Sequence, residues 1–176
     1  VCTIDIETAT ENGFPDIRSA NEEILLITIK NLQTKNIITF GTKPYENKRE
    51  DCQYVYCRDE QQLLKEFIIW WQQNYPDCIT GWNTDFFDVP YLIKRLDREL
   101  GDSFSKKVSP WGYINERKTF IKGNEELHYD ILGISQLDYL ELYKKYTYGS
   151  FTDNKLLKHL KDNKIKQVEL AGIDTE

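Results

Sequence analysis

Two carboxylates near the start of the chain have the types and spacing of metal ligands. Asp5 and Glu7 lie in the segment Val-Cys-Thr-Ile-Asp-Ile-Glu-Thr, which alternates apolar and polar residues. This alternation predicts a strand with both carboxylates on one face and with Ile4 and Ile6 on the other. Neighbouring carboxylates repel each other, and burying such a pair is costly unless a cation neutralises it. The alternative is an edge strand whose polar face lies in solvent.

A second acidic position lies in the segment Gly-Trp-Asn-Thr-Asp-Phe-Phe-Asp-Val-Pro-Tyr, residues 81–91. The sequence predicts a short strand over Asp77–Thr80 before it and a helix over Val89–Leu100 after it. Open α/β sheets place their chemistry at such strand-to-helix junctions. Taken alone, Asp88 is interpreted as a helix cap. Taken together with the two strand carboxylates, it completes a candidate cluster of hard oxygen ligands suited to Mg²⁺ or Mn²⁺.

The elements that must position these carboxylates form an alternating α/β pattern. The predicted elements are strands over Glu23–Asn31 and Lys35–Phe40, helices over Glu60–Asn74, Ile134–Tyr146 and Asp153–Asp162, and a β-hairpin over Glu116–Leu132 that turns at residues 122–125. The first three strands would form an antiparallel meander. We therefore expect an α/β fold, an RNase H-like mixed sheet with flanking helices and an added β-hairpin.

Several sequence blocks carry a family likeness, and they occur in the family's order. The blocks are Asp5-Ile-Glu7 with Gly13-Phe-Pro15, Thr80-Gly-Trp-Asn83 through Phe87-Asp-Val-Pro-Tyr91, Ser109-Pro110 with Gly112, Leu137 to Lys145, and more loosely Ser150-Phe-Thr152 with His159. The first two resemble the first and second exonuclease motifs of family B DNA polymerases, most closely the proofreading domain of T-even-type bacteriophage polymerases. The resemblance covers most of the chain, and it supports the RNase H-like fold.

The resemblance implies a DNA-replication enzyme, a 3′–5′ exonuclease that removes mispaired primer ends. Two metal ions about 4 Å apart can activate a water and stabilise the departing 3′-oxygen. By analogy with the family, Asp5 would bridge both Mg²⁺ or Mn²⁺ ions, Glu7 would bind the ion that activates water, and Asp88 would bind the ion that faces the leaving group.

The resemblance also implies a set of DNA contacts. Phe14 would lie against the terminal base, and Asn83 and Phe87 would line the same pocket. In related polymerases a β-hairpin of this domain helps to separate the primer end from the template, and the hairpin charges here would suit backbone phosphates. Those charges are Arg117, Lys118 and Lys122. The alternatives are a turn residue for Asn83, a core residue for Phe87 and an ordinary surface hairpin.

Composition is consistent with one globular domain over residues 1–176, with 40% hydrophobic residues and a net charge of −6. Residues 1–93 carry −7 and residues 94–166 carry +4. The acidic half holds the candidate ligands, and the basic half offers Arg95, Arg98 and other cations to phosphates. The acidic total argues against tight duplex binding by this domain alone and permits capture of a single-stranded 3′ end.

Other classes of site and compartment find little support in the sequence. The four cysteines have no Cys-x-x-Cys spacing, and only two histidines accompany them. We therefore expect reduced thiols in the core and no zinc site. There is no apolar run long enough to span a bilayer and no signal-peptide pattern. We expect no membrane partner and a cytoplasmic location, in the host cell if a phage encodes the protein.

One family motif is missing from the sequence. The third exonuclease motif, Tyr-x-x-x-Asp on a late helix, is not found, because Tyr148 is the last tyrosine and Asp174 has Leu170 at the tyrosine position. We therefore expect a fragment that lacks this motif and the palm, fingers and thumb of a parent polymerase. Two hypotheses follow. The chain is a metal-dependent exonuclease domain, or it is a catalytically incomplete module that binds single-stranded DNA or contacts the other polymerase domains.

Overall fold

A computed structural model describes residues 1–146 except residues 12, 14, 122 and 123. Its elements in chain order are the strands β1 (Cys2–Thr8), β2 (Ile24–Asn31), β3 (Ile37–Gly41) and β4 (Cys52–Tyr56), helix α1 (Glu60–Gln73), strand β5 (Cys78–Gly81), helix α2 (Asp88–Leu100), a 3₁₀ helix (Phe104–Val108), strands β6 (Ile114–Ile121), β7 (Asn124–Ile131) and β8 (Ser135–Asp138), and helix α3 (Tyr139–Tyr146).

Six strands form one mixed sheet in the order β4-β3-β2-β1-β5-β8. The first three strands pair antiparallel as a meander, which confirms that prediction. The pairs β3 with β4, β1 with β5, and β5 with β8 are parallel. The predicted hairpin is also present, since β6 and β7 form a separate antiparallel pair. This mixed α/β architecture is consistent with the expected RNase H-like fold.

Two helices cover the apolar face of the central strands. The sequence of α1 places Leu63, Phe67 and Trp71 on one side, all of them almost wholly buried. They share a core with Ile4 of β1 and with the apolar side of α2. The Asp59 carboxylate caps α1 by accepting the Gln62 N–H at 2.8 Å. The opposite face of β1 is therefore left for polar side chains.

The predicted helix over Ile134–Tyr146 is wrong in its first half. Residues 135–138 form strand β8, which pairs in parallel with β5 at the edge of the sheet, and the helix begins only at Tyr139. The alternating Ser-Gln-Leu-Asp segment finds hydrogen-bond partners in β5, and this tertiary pairing overrides its local helical pattern. The sequence reading also missed β4 and the 3₁₀ helix. The predicted helix over Asp153–Asp162 lies outside the described residues.

Two further expectations concern cysteines and membranes. All four cysteines are free thiols; Cys2, Cys57 and Cys78 are buried, and Cys52 is half-buried. Among the described residues, no helix combines the length and the apolar composition needed to cross a bilayer.

Candidate active site

Strand β1 presents its two carboxylates on the face turned away from the helices. Cys2, Ile4 and Ile6 are buried, whereas Asp5 is partly exposed and Glu7 is exposed. The predicted alternation is therefore confirmed. Asp5 lies opposite Thr28 of β2, and the register shifts between Glu7 and Thr8. Such an irregularity commonly ends pairing or redirects a side chain beside a functional site.

Helix α2 brings a third carboxylate to the edge of β1. Asp88 is the first residue of the helix and is only 4% exposed, and its Oδ1 accepts the Ile6 N–H at 2.9 Å. The parallel pairing of β5 with β1 covers only Cys2 and Thr3. Ile6 lies beyond that pairing, so its N–H takes the Asp88 carboxylate as its acceptor. Phe87 occupies the N-cap position, so the alternative reading of Asp88 as a simple cap is wrong.

Burial, with mutual repulsion in second place, raises the pKa values of two of these carboxyls. Burial, reinforced by the charge of Glu7, raises the pKa of Asp5 to about 7. Burial, reinforced by the charge of Asp5, raises the pKa of Asp88 to about 8, and the Ile6 hydrogen bond only partly opposes this. Residues on separate elements thus feel each other's charge. A pair of coupled carboxyls with raised pKa values is a frequent sign of a functional site.

The donor set has the chemistry of a Mg²⁺ or Mn²⁺ site. Carboxylates that are buried or that repel one another are stabilised most by a hard divalent cation. Within the described ranges, however, no three His, Cys, Asp or Glu side chains lie close enough together to hold a metal ion. The assignment of Asp5, Glu7 and Asp88 as ligands therefore stays a prediction, which rests on their oxygen chemistry and on the raised pKa values of Asp5 and Asp88.

The loop between β5 and α2 is a tight turn of defined shape. Asn83 has a left-handed backbone with φ of 61°, and its carbonyl accepts the N–H groups of Phe86 at 3.1 Å and of Phe87 at 2.9 Å. The alternative interpretation of Asn83 as a turn residue thus describes its backbone. Phe87 is half-buried and stacks on Tyr91 at 5.5 Å between ring centroids, while Tyr91 is fully buried and donates to the Glu22 carbonyl.

Gly81 permits the close approach of this loop to β1. A Cβ at this position would lie 2.7 Å from the Ile4 carbonyl oxygen and 2.3 Å from the Thr84 Cγ2. Backbone cannot yield as a flexible side chain does, so β5 and the loop would have to move. We expect Gly81→Ala to lower the free energy of unfolding by about 1–3 kcal/mol. Urea unfolding of the two proteins measures this, and equal midpoints would contradict the close packing.

A buried carboxylate that the sequence reading missed lies beside this loop. Asp138, at the end of β8, is 3% exposed and accepts hydrogen bonds from the loop's backbone. Assigning residues 134–146 to a helix concealed it. Interpreting 135–138 as a parallel strand would have placed Asp138 opposite Gly81, where β5 ends. Asp85 is half-buried and accepts a long hydrogen bond from Gln136 at 3.4 Å.

The hairpin touches the same loop. The rings of Phe86 and His128 meet edge-on with centroids 4.4 Å apart. Gln136 links the two regions, since its Nε2 donates to the Tyr129 carbonyl at 3.0 Å and its Oε1 accepts the Ile131 N–H at 2.7 Å. The hairpin thus contacts the loop that leads to Asp88.

The basic side chains proposed for phosphates occupy different environments. Arg95 is buried in an ion pair with Glu60, so its assignment to the phosphate-facing set is wrong. Arg98 donates to loop atoms of Ser19, Ala20 and Asn21. On the hairpin, Arg117 is half-exposed and forms a two-point pair with Asp130, both hydrogen bonds at 2.6 Å.

Three predicted DNA contacts remain to be located. Lys118 lies on β6, next to Arg117 and directly across from Leu127 of β7. Phe14 and Lys122 lie outside the described residues.

Known proteins provide the family context. The chain matches the family described as DNA polymerase family B, exonuclease domain, over residues 1–158. A DNA-directed DNA polymerase of Escherichia phage RB69 is 30% identical over 178 aligned positions, 84% of this chain and 19% of the relative. That of Enterobacteria phage T4 is 40% identical over 96 positions, 54% of this chain and 11% of the relative. A DNA polymerase of Thermococcus litoralis is 32% identical over 95 positions, 53% of this chain and 5% of the relative. The chain thus spans a fifth or less of each relative's length.

Proposed function

Because the chain belongs to the exonuclease domain family of family B DNA polymerases, we propose that it hydrolyses the 3′-terminal phosphodiester bond of single-stranded or mispaired primer DNA. The observation that supports this most directly is that Asp88 on α2 accepts the Ile6 N–H next to Asp5 on β1, where burial and, after it, the charge of Asp5 raise the pKa of Asp88. Such coupled carboxyls at a strand-to-helix junction suit cation-assisted hydrolysis.

The proposed cation ligands are Asp5, Glu7 and Asp88. The exonuclease family is generally dependent on divalent metals. Two bound Mg²⁺ or Mn²⁺ ions would supply an activated water and charge stabilisation at the departing 3′-oxygen. The chain's own part is orientation: the Ile6 N–H holds one oxygen of Asp88, which leaves the other oxygen for a ligand bond. The rigid elements β1 and α2 keep the carboxylates from relaxing apart.

The proposed DNA contacts come from the segment after β1, from the loop before α2 and from the hairpin. Phe87, which is half-buried and stacked on Tyr91, would contact a terminal base, and Phe14 and Asn83 would line the same pocket. On the hairpin, the charges of Arg117, Lys118 and Lys122 would contact backbone phosphates. For Arg117, such a contact competes with its ion pair to Asp130. Single-stranded DNA ending in a 3′-hydroxyl is therefore the proposed substrate.

The other proposed partners are the remaining domains of a parent DNA polymerase. The relatives are polymerases of which the chain spans 19% or less. In this arrangement, the polymerising domains would deliver a mispaired primer end to the cluster on β1 and α2. The proposed role in replication is therefore proofreading.

A labelled oligonucleotide tests the nuclease. We expect the 176-residue chain, given 5′-labelled single-stranded DNA and Mg²⁺ or Mn²⁺, to yield a ladder shortened one nucleotide at a time from the 3′ end. EDTA and the Asp88→Asn variant should each abolish the ladder.

The cut position separates this function from others. Internal cuts, or release of only the 5′-labelled mononucleotide, would contradict the proposed direction. If the DNA stays intact and the chain retains it on a filter, the chain is a single-stranded DNA-binding module and not a nuclease.

A further inference from the structure

A buried carboxylate outside the proposed ligand set holds the loop that leads to Asp88. The side chain of Asp138 is 3% exposed at the end of β8. Its Oδ1 accepts the N–H groups of Asn83 at 3.0 Å and Leu140 at 2.8 Å, and its Oδ2 accepts the Asp85 N–H at 3.0 Å. Both oxygens thus bind backbone donors, which gives Asp138 the geometry of an anchor and not of a cation ligand.

The hydrogen bonds to Asp138 fix an unusual backbone conformation. Asn83 adopts a positive φ, which a non-glycine residue holds only when its surroundings favour it. Its N–H donates a hydrogen bond to Asp138, and its carbonyl oxygen accepts the N–H groups of Phe86 and Phe87. Hydrogen bonds from backbone N–H groups to a carboxylate are stronger than those to a neutral acceptor. The charge of Asp138 therefore stabilises the bend at Asn83.

The fixed loop determines where α2 starts. The Thr84 carbonyl accepts the Val89 N–H at 3.0 Å, which joins the loop directly to the first turn of the helix. Asp88 precedes Val89, and its carboxylate reaches the Ile6 N–H from this position. A loop that shifted at residues 83–85 would carry Asp88 away from β1.

We propose that Asp138 is a positioning residue that acts through the loop at 83–87 to hold the Asp88 carboxylate beside Asp5. In this role Asp138 would contact neither substrate nor cation, because both of its carboxylate oxygens accept backbone N–H groups. Its role in cleavage rests on the proposed nuclease function. Its role in placing Asp88 does not, because the hydrogen bond from the Ile6 N–H to Asp88 joins two groups of the chain itself and can be followed without DNA.

Asp138→Asn is the sharpest variant for this role. Asparagine has nearly the same size and shape as aspartate, so the packing of β8 is preserved. In either orientation of the amide, however, its NH₂ group would replace a carboxylate oxygen that accepts a backbone N–H in the unaltered chain. That N–H would lose its acceptor. The variant thus removes the loop's anchor without opening a cavity.

Hydrogen exchange in the metal-free chain gives the decisive reading. We expect Asp138→Asn to speed exchange of the Ile6 amide about tenfold or more, in addition to the amides of Asn83 and Asp85. Mn²⁺ affinity should fall about 10- to 100-fold, the loss typical of residues that support a metal ligand. Unchanged exchange at Ile6 would overturn the proposal, even if Asn83 and Asp85 exchanged faster.

A matched control separates positioning from simple loss of stability. Glu60 is also a buried carboxylate that accepts a backbone N–H, from Ile24 at 2.8 Å, but it lies in the network around Arg95. Glu60→Gln should lower the melting temperature yet leave Mn²⁺ affinity and relative Ile6 protection unchanged. If Asp138→Asn behaved like Glu60→Gln, Asp138 would be structural only and the proposal overturned. If the unaltered chain cleaved no DNA, the nuclease proposal would fail, and Ile6 exchange would still decide the role of Asp138.

Discussion

The Asp5→Asn variant is expected to lose cleavage while becoming more stable at pH 8 without metal. Asp5 is the proposed ligand of both cations, so its loss should slow 3′ cleavage roughly 100- to 1,000-fold. The same charge is unfavourable in the metal-free chain, because burial and Glu7 raise the pKa of Asp5 to about 7. Single-turnover cleavage rates and thermal unfolding on one protein preparation measure both effects.

The pH dependence of stability gives this prediction its sign. A carboxyl whose pKa is higher in the folded than in the unfolded chain imposes no cost below about pH 4, where both states are protonated. As pH rises towards 7 the unfolded chain ionises more readily, so the folded state loses stability. Allowing for solvent screening and for the neighbouring carboxylates, Asp5→Asn should gain roughly 1–2 kcal/mol at pH 8, or about 3–6 °C in melting temperature, and almost nothing at about pH 3.

An opposite control exists in the loop after β1. Asp16 accepts hydrogen bonds from Ser19 and Arg18, which lower the pKa of its carboxyl. Asp16→Asn should therefore slightly destabilise the chain at pH 8 and leave cleavage unchanged. A destabilised Asp5→Asn variant at pH 8, or one that retained most of the nuclease activity, would contradict the account. Asp5 would then not be a cation ligand whose charge destabilises the chain without metal.

We expect Arg95→Met to lower the free energy of unfolding more than any of the other substitutions does. The Arg95 guanidinium is 3% exposed, and it binds Glu60 through two nitrogens, Glu99 at 3.0 Å and the Ala20 carbonyl at 2.8 Å. Removing the guanidinium leaves the Glu60 carboxylate buried without its partner. A broken buried pair costs about 3–5 kcal/mol, which corresponds to a fall of roughly 8–15 °C in melting temperature. Calorimetry at pH 7 measures it.

Two further variants make the Arg95 prediction specific. Arg58 forms an ion pair with Asp59 but its side chain is 80% exposed, so Arg58→Ala should cost less than about 0.5 kcal/mol. Adding Glu60→Gln to Arg95→Met removes the orphaned charge and should restore part of the lost stability. A melting temperature for Arg95→Met within 2–3 °C of the unaltered chain would contradict a buried, dry ion pair.

Sequence alone predicted the elements whose periodic patterns agree with their tertiary environment. The alternation in β1 placed Asp5 and Glu7 on one face because Ile4 and Ile6 have a helix-covered core to enter. The position of Asp88 at a strand-to-helix junction was also predictable, since that junction follows from the change in hydrophobic period.

Features set by long-range partners escaped prediction. The strand at 135–138 forms because β5 offers it a parallel edge, and that pairing is what buries Asp138. Arg95 was expected to be available to phosphates, whereas it is buried in an ion pair with Glu60, 35 residues away in the sequence. A single charged residue does not reveal whether its partner is a phosphate or a buried carboxylate.

Mn²⁺ binding tests most directly the central claim that β1 and α2 share one cation site. Electron paramagnetic resonance of free Mn²⁺ at pH 8 would be compared for the unaltered chain, Asp88→Asn and the loop control Asp85→Asn. We expect the unaltered chain and Asp85→Asn to bind alike, and Asp88→Asn to bind at least about tenfold more weakly. Equal binding by all three proteins would contradict the site, because the Asp88 carboxylate would then contribute nothing to holding the cation.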